Sequence, residues 1–379
     1  MKILIVAAKT GGHVFPASSI AKELIINDHE IVFLGTGSEI EKSAYKDISS
    51  KSYNLSIQGY RGQNVITRLK VLMQVFVNVF RVMKIVSREK IDGMIGFGGF
   101  ITVPAGIGCW FKRKPIFLHE QNAVLGSANK LVSNFSKINF LGFPIENINK
   151  SVISGNPIRK SFINNQNNQN NNEHINIYIT GGSQGAEYIN SEVPKIFKNF
   201  THALKIKHQC GKDNIQKVKD LYMRNNINAE VSEFYENPAE QIVWSDFVIS
   251  RGGALSLSEI TSLKRGVFII PLPTSIDNHQ VENAKIIENM KMGKLHHQNN
   301  SPKILAQEIN RIIENKTFLE WKKTPNHSHN KSKEIIISNI EKYFNILDLS
   351  LNSYIGILFI ITGLIVRVDL KFSIQRDLK

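Results

Sequence analysis

Short apolar runs alternate along the chain with longer segments in which apolar residues recur at helical spacing. In the first half this pattern predicts strands at residues 3–8, 30–34, 92–95, 115–118 and 137–141, with helices at 17–26 and 69–87. In the second half it predicts strands at residues 175–180, 205–209, 247–250 and 267–271, with helices at 186–200, 256–263 and 279–290. Strands separated by helix-length segments are typical of α/β folds with doubly wound parallel sheets.

A polar tract separates the two patterns. Residues 164–172 are all Asn or Gln, a composition that cannot build an apolar core and is typical of a linker or surface loop. We expect a Rossmann-like domain at residues 1–160, a linker at 161–173 and a second Rossmann-like domain at 174–345. Each domain opens with a strand followed by a glycine-rich segment, so we expect the two domains to face each other across a cleft.

The two ends of the chain carry apolar runs of different kinds. The run at residues 3–8 is too short for a signal peptide and suits a buried strand, and only two cysteines are present, so we expect a reducing compartment. The run at residues 351–366 is mostly apolar, but a bilayer crossing needs about 20 such residues. A membrane-surface anchor and an extension without function are the alternatives for residues 346–379.

Composition narrows the class of protein and the kind of partner. Of the 379 residues, 42% are hydrophobic, which is enough to build cores and excludes a chain that is disordered throughout. The net charge of +15 is unevenly placed, since residues 1–160 hold 21 basic and 10 acidic residues, a net of +11. This half favours a phosphate ligand, nucleic acid or an anionic membrane as its partner, although a Lys-rich composition accounts for part of the total charge.

The first glycine-rich segment, Thr10-Gly11-Gly12-His13, lies where a strand turns into a helix that we expect to start near Phe15 and Pro16. Glycines allow a ligand to approach the backbone, and the N–H groups of a helix start favour an anion. The segment fits neither the P-loop nor the dinucleotide-binding fingerprint. His13 is a candidate base, although a lone His beside two glycines can also be incidental.

Further polar groups follow other predicted strands. The segment 181–185 (Gly-Gly-Ser-Gln-Gly) is, like the first loop, a glycine-rich turn between a strand and a helix, and it too suits an anion. Glu259 lies one turn into a predicted helix that follows another glycine pair. His119 and the three polar residues after it follow the strand at 115–118, which indicates a site rather than a core. Arg159, at the domain junction, could clamp a phosphate.

Taken in order, these segments form a specific set. They are Thr10-Gly11-Gly12-His13-Val14-Phe15-Pro16-Ala17, Gly59-Tyr60-Arg61-Gly62, Gly98-Gly99-Phe100, His119-Glu120-Gln121-Asn122, Gly155-Asn156-Pro157-Ile158-Arg159, Gly181-Gly182-Ser183-Gln184-Gly185, Gly253-Ala254-Leu255-Ser256-Leu257-Ser258-Glu259 and Asp277-Asn278-His279-Gln280. Over about residues 1–345 this set strongly resembles the MurG family, bacterial transferases that add N-acetylglucosamine to lipid I during peptidoglycan synthesis.

The resemblance implies a GT-B fold, two Rossmann-like domains with a cleft, and the donor UDP-N-acetylglucosamine. It implies His13 as the leading catalytic candidate and Glu120 as a weaker one. The donor-binding residues that it implies are Thr10, Gly11, Gly12, Asn122, Arg159, Ser183, Tyr235, Ala254, Leu255, Ser256, Leu257, Ser258, Glu259 and Gln280. Among them, Arg159 and Ser183 would contact the diphosphate, Tyr235 the uracil edge and Glu259 the ribose hydroxyls.

The sequence departs from the family pattern at Ala8-Lys9, where the family usually has two glycines, so the acceptor side is less well defined than the donor side. No Asp-x-Asp occurs in the chain, and we therefore expect a reaction that needs neither a metal nor another cofactor. The acceptor, lipid I, carries an undecaprenyl diphosphate, so the enzyme is expected to act peripherally on the cytoplasmic face of the bacterial inner membrane.

A basic, apolar segment could serve as the membrane contact. Residues 68–88 hold five basic residues and no acidic one, and their apolar residues recur at helical spacing. Trp110-Phe111 precedes the basic triplet at 112–114. Such residues suit the headgroup region of an anionic leaflet, and a core helix with a solvated basic face is the alternative.

Two other functions are compatible with the sequence. One is another GT-B enzyme that uses a UDP-sugar, either a glycolipid glycosyltransferase or a UDP-sugar epimerase. The other is a non-enzymatic binder of anions or nucleic acid, motivated by the net charge of +15. The sequence holds no recognisable nucleic-acid-binding motif, so no nucleic-acid partner is expected.

Overall fold

The computed structural model describes residues 1–8, 10–57, 65–163, 174–200, 202–324 and 329–346, without the side chains of residues 65–69 and 199. The motif at 59–62, the Asn/Gln tract at 164–172, the apolar run at 351–366 and Lys9 lie outside the described residues. Residues 1–333 form one compact unit that contains both sheets. In the second unit, residues 334–346 are helical.

The first half builds a parallel sheet with the strand order β3-β2-β1-β4-β5-β6-β7. Its strands are β1 (Lys2–Val6), β2 (Glu30–Gly35), β3 (Lys51–Asn54), β4 (Gly93–Gly96), β5 (Ile116–Glu120), β6 (Ile138–Leu141) and β7 (Ser151–Ile153). Its helices are α1 (Gly11–Ile26), α2 (Glu39–Tyr45), α3 (Val65–Arg88), α4 (Thr102–Phe111) and α5 (Ser127–Val132). The strand order reverses direction between β1 and β4, which leaves a crevice beyond their carboxyl ends.

The second half builds another parallel sheet, with the order β10-β9-β8-β11-β12-β13. Its strands are β8 (Ile175–Thr180), β9 (Leu204–Gln209), β10 (Ala229–Ser232), β11 (Phe247–Ser250), β12 (Gly266–Ile269) and β13 (Gly293–Leu295). Its helices are α6 (Glu187–Ile196), α7 (Ile215–Arg224), α8 (Pro238–Trp244), α9 (Ala254–Ser262), α10 (His279–Asn289), α11 (Pro302–Glu314) and α12 (Thr317–Lys323). Here the strand order reverses between β8 and β11.

Both faces of the second sheet are buried. Ile177 and Ile249 join the apolar cluster on one face, and Tyr178 and Val248 join the cluster on the other. Successive residues of a strand point to opposite faces, so a strand covered on both sides must be apolar throughout. This explains why unbroken apolar runs predicted the central strands, and the expectation of doubly wound parallel sheets is confirmed.

The start of helix α1 and several unpredicted elements differ from the expected pattern. Helix α1 begins at Gly11, before the predicted start near Phe15, because Thr10 N-caps it and its carbonyl accepts from the N–H groups of His13 and Val14, at 3.1 and 3.0 Å. Pro16 therefore lies inside the helix, and His13 lies in the first turn. The edge strands β3, β7, β10 and β13 were not predicted, because β3 and β7 are mostly exposed and lack an apolar run, and β10 and β13 span only four and three residues. The helices that were not predicted are α2, α4, α5, α7, α8, α11 and α12.

None of the helices within the described residues is both long enough and apolar enough to cross a bilayer.

Buried imidazoles make the stability of the fold depend on pH. His208 is fully buried; its Nε2 donates to Asn190 Oδ1 at 3.1 Å, and its Nδ1 accepts from the Tyr222 hydroxyl at 2.9 Å. Burial lowers the pKa of His208 to about 3 and that of His119 to about 4. Both rings are thus neutral in the folded protein at pH values where an unfolded imidazole, with a pKa of about 6.5, binds a proton.

We predict that the free energy of unfolding falls as pH is lowered from about 6.5 to about 4, because the unfolded chain binds more protons. Each buried imidazole contributes a slope of about 1.4 kcal/mol per pH unit. His208→Gln keeps polar partners for Tyr222 and Asn190 and should lower the total slope by about that amount. Urea unfolding at several pH values measures the slope. An identical slope in the parent protein and in His208→Gln would contradict the conclusion that His208 is buried in its neutral form.

Candidate functional site

The His13 imidazole lies where the loops after β1 and β4 meet. Its Nδ1 is 3.4 Å from the carbonyl oxygen of Ala8 and 3.1 Å from Oγ1 of Thr10. A carbonyl oxygen only accepts, so these partners favour the tautomer with the proton on Nδ1. The lone pair of Nε2 is then left to accept a proton, which is what a general base requires.

Two glycines of the loop after β4 make room for this ring. Gly98 and Gly99 have φ values of 95° and 77°, in the left-handed region that favours glycine. A Cβ atom on Gly98 would lie only 3.0 Å from Nε2 of His13. The position of the imidazole therefore depends on a close approach of backbone that other residues would prevent.

The electrostatic environment keeps His13 neutral. Burial lowers its pKa below the ordinary value of 6.5, and this effect outweighs the attraction of the Glu120 carboxylate. His279, contributed by the second half, lowers the pKa of His13 further. A neutral imidazole near pH 7 can remove a proton from a hydroxyl group.

Glu120 is the last residue of β5, and its carboxylate is already hydrogen-bonded on both oxygens. Oε1 accepts from the backbone N–H and the side-chain amide of Asn122 at 3.2 and 3.1 Å. Oε2 accepts from the Gly126 N–H and from Asn129 Nδ2, both at 2.9 Å. The side chain thus shapes the loop at residues 121–126 and is poorly suited to act as a base.

A cavity of about 400 Å³ joins the two halves at this point. His13, Glu120 and Asn122 line it from the first half, and Ile276, Asp277 and His279 line it from the second. Arg159, Ser183, Tyr235, Glu259 and Gln280 are not in the lining of this cavity. The structure therefore brings both predicted catalytic candidates together with Asn122, and Thr10 lies beside His13.

Buried amides link the two halves beside the cavity. Asn283, fully buried on α10, donates from Nδ2 to Asn122 Oδ1 at 3.2 Å and to the Gly252 carbonyl at 2.9 Å. Its Oδ1 accepts from the Ala123 N–H at 2.7 Å. Asn122 is therefore held between Glu120 and Asn283, which fixes the direction of its side chain.

His119 does not belong to the site, contrary to its interpretation as a polar residue beyond a strand. It lies within β5 and is fully buried. Its Nε2 donates to the Gly155 carbonyl at 3.0 Å, and its Nδ1 accepts from Gln121 Nε2 at 3.0 Å. The ring fixes the connection between the halves, where Asn156 in turn donates to the Gln121 carbonyl and to Ser258 Oγ.

The second glycine loop follows β8 and faces solvent. Gly182, with a φ of 84°, would place a Cβ atom in open space, and Ser183 is exposed. Gln209, at the end of β9, donates to the Gly182 carbonyl at 3.0 Å and accepts from the Tyr235 N–H at 3.2 Å. The loop and the Tyr235 backbone are thus held together by one side chain.

Helix α9 follows β11, at the place where the strand order of the second sheet reverses. It begins at Ala254, with Gly253 as its N-cap. Ala254, Leu255 and Ser256 form its first turn, which contains no acidic residue, so its N–H groups suit an anion. Leu257 and Ser258 are fully buried, and Ser258 Oγ donates to the Ala254 carbonyl at 2.8 Å. Their side chains support the helix and do not face a ligand.

Two further side chains hold loops near the predicted site. Gln280 Oε1 accepts from the backbone N–H groups of Gly252 and Leu272, at 3.2 and 3.0 Å. Arg251, which the sequence left without a role, donates to the carbonyls of Ile270 and Pro271 and holds the loop after β12. These contacts join residues distant in the chain, so no local signal in the sequence predicts them.

Residues 3–140 match the Glycosyltransferase family 28 N-terminal domain, and residues 176–338 match the Glycosyltransferase family 28 C-terminal domain. Two parallel-sheet halves that share a cavity beyond their strand ends are the architecture of a GT-B glycosyltransferase, and the two matches agree with that class.

The relatives narrow the class further. The chain is 30% identical over 353 residues to UDP-N-acetylglucosamine--N-acetylmuramyl-(pentapeptide) pyrophosphoryl-undecaprenol N-acetylglucosamine transferase of Acinetobacter baumannii, covering 90% of this chain and 97% of the relative. It is 30% identical over 349 residues to the Haemophilus influenzae protein of that name, covering 91% and 99%. The crystal structure of Acinetobacter baumannii MurG matches with a TM-score of 0.77 at 28% identity, covering 90% of this chain and 99% of that one. The chain belongs to the MurG family of glycosyltransferases.

We predict that Glu120→Gln and His13→Ala affect the pH profile differently. Glu120→Gln replaces two acceptor oxygens by one and disturbs the loop, so turnover should fall. Because the Glu120 carboxylate raises the pKa of His13, its loss should move the acid limb of the pH profile to lower pH without abolishing it. His13→Ala should abolish that limb. Glycosyl transfer measured from pH 5 to 9 tests this, and loss of the acid limb in Glu120→Gln would instead make Glu120 the base.

Proposed function

We propose that this chain transfers N-acetylglucosamine from UDP-N-acetylglucosamine to the muramyl sugar of undecaprenyl-diphosphate-linked lipid I, giving lipid II for peptidoglycan synthesis. The observation that carries the proposal is the neutral His13 imidazole in a cavity lined by both halves of a family 28 chain. The first half takes the acceptor and the second half takes the donor.

The reaction is one inverting displacement. The acceptor hydroxyl attacks the anomeric carbon of the donor, the bond from that carbon to the UDP oxygen breaks, and UDP leaves with the bonding electrons. Nε2 of His13 takes the proton of the attacking hydroxyl. The first turns of α1 and α9 contain no acidic residue, and their N–H groups stabilise the charge that develops on the departing diphosphate.

The hydrogen bonds already present decide which atoms remain for the donor. The Tyr235 N–H is bonded to Gln209, so Tyr235 binds the uracil edge through its carbonyl oxygen. Gln280 Oε1 is bonded to two backbone N–H groups, so it meets sugar hydroxyls through Nε2. Thr10, Gly11 and Gly12 approach the diphosphate side, and Asn122 reaches the sugar from its fixed position beside Glu120.

The outer face of α3 supplies a membrane contact for the lipid acceptor. Leu72, Met73, Phe76 and Phe80 are between 56% and 66% exposed, while Val79 and Val82 of the same helix are buried. The exposed positions follow helical spacing, so they form one apolar stripe.

Basic and aromatic residues accompany this stripe. Lys70, Arg81, Lys84 and Arg88 are exposed on the same helix, and α3 packs against α4, which ends in the exposed pair Trp110 and Phe111. Apolar side chains next to basic ones suit the headgroup region of an anionic leaflet. We therefore place the enzyme peripherally on the cytoplasmic face of the inner membrane.

We predict that His13→Ala lowers turnover by about a hundredfold to ten-thousandfold, because the reaction loses its general base. The dissociation constant for UDP should change little, since UDP binds mainly to the second half. In the parent protein the acid limb should lie below pH 6.5, because the pKa of His13 is lowered. Radiolabelled transfer and calorimetry provide the two measurements, and unchanged turnover in this variant would contradict the assignment.

We also predict that the protein binds vesicles containing anionic lipid and that salt weakens the binding. Replacing Phe76 and Phe80 by Ser should reduce the bound fraction several-fold, because these rings lose apolar burial. The matched control is Met223→Ser, since Met223 is 60% exposed on α7 of the second half. Sedimentation with vesicles measures the effect, and equal losses in the variant and the control would refute the assigned surface.

A further inference from the structure

The two side chains expected to bind opposite parts of the donor are bound to each other. Arg159 Nε donates to Glu259 Oε1 at 2.8 Å, and Arg159 Nη2 donates to Glu259 Oε2 at 3.0 Å. This is the bidentate geometry in which a guanidinium fits a carboxylate, and it is also how a guanidinium fits a phosphate. In the pair, Glu259 occupies the face of Arg159 that a diphosphate would take.

Two aromatic rings pack against the Arg159–Glu259 pair but leave Arg159 partly exposed. The guanidinium carbon lies 4.6 Å from the ring centre of Phe162 and 6.0 Å from that of Phe15, which belongs to α1 of the first half. The Arg159 side chain is 44% exposed, whereas that of Glu259 is only 13% exposed. Arg159 can therefore turn towards solvent or a ligand, while Glu259 stays on its helix.

The Glu259 carboxylate cannot lose its partner without cost. Burial raises the pKa of Glu259, and Arg159 opposes that effect, so the carboxylate depends on a polar partner. Two ribose hydroxyls can replace the guanidinium as donors to the carboxylate. A diphosphate can replace the carboxylate as acceptor for the guanidinium. A ligand that carries both groups satisfies both side chains, and a fragment with only one group leaves the other side chain without its partner.

We propose that the Arg159–Glu259 pair is exchanged for the ligand when the donor binds, and that this exchange selects whole nucleoside diphosphates over their fragments. The inference rests on the proposed function, because it uses the donor that the function assigns. The paired state does not bind either group alone, so a fragment's apparent affinity is its intrinsic affinity multiplied by the fraction of protein in the unpaired state. A nucleoside diphosphate regains the lost interactions on both sides.

The proposal predicts a crossed pattern of affinities, measured by calorimetry on the full chain. Arg159→Ala frees Glu259 and should strengthen uridine binding about fivefold while weakening binding of UDP and of pyrophosphate. Glu259→Gln frees Arg159 and should strengthen pyrophosphate binding about fivefold while weakening uridine binding. Arg159→Lys keeps the charge but loses the bidentate contact, so its affinities should lie between those of the parent protein and Arg159→Ala.

Lys217→Ala is the matched control, because Lys217 forms an exposed pair with Glu187 at 2.6 Å, and it should leave all three affinities unchanged. If both fragments bind more weakly in both pair variants, the pair is only structural and the proposal is overturned. If the parent protein binds UDP but uridine binding is not strengthened in Arg159→Ala, the exchange fails while the proposed function stands. If the parent protein does not bind UDP, the proposed function itself fails.

Discussion

The candidate catalytic site depends on a close approach of backbone to a single ring, that of His13. The strand order reverses between β1 and β4, so the loops after these strands diverge and leave a crevice. Gly98 and Gly99 line it with positive φ angles, and a Cβ atom at Gly98 would lie 3.0 Å from Nε2 of His13, so a side chain there would force the ring to shift. Thr10 and the Ala8 carbonyl hold the opposite nitrogen. The position and the tautomer of the His13 imidazole therefore depend on both the sheet topology and the glycine conformation.

A second constraint is the buried polar seam between the halves. Asn283 bonds to the backbone or side chains of both halves, and Asn156 and His119 fix the connection near Gly155. Buried amides and imidazoles are stabilising only when their partners are correctly placed, so this seam favours one arrangement of the halves over others. It also explains why the cavity at His13 has lining residues from both halves.

The parts of the fold that could be predicted are those with local causes. Strands such as β8 and β11 are covered on both faces and are therefore mostly apolar, whereas β3 is exposed at an edge and has no such signal. His13 could be found because its segment belongs to an ordered set of motifs. The hydrogen bonds that occupy both oxygens of Glu120 could not be predicted from the sequence. The ion pair between Arg159 and Glu259 could not be predicted either, because 100 positions separate the two residues. His119 was misplaced because strand β5 extends two residues further than its apolar run.

The central claim is that this chain forms a glycosidic bond on lipid I with inversion at the donor sugar. The most direct measurement supplies the purified full chain with lipid I and radiolabelled UDP-N-acetylglucosamine, with UDP-glucose in a parallel reaction. The product is separated from free sugar, and its anomeric configuration is determined. We expect lipid II with an inverted linkage, equal amounts of released UDP, and little transfer from UDP-glucose. Conversion of the donor to an epimer, or its hydrolysis without lipid II, would show that the chain does not carry out this transfer.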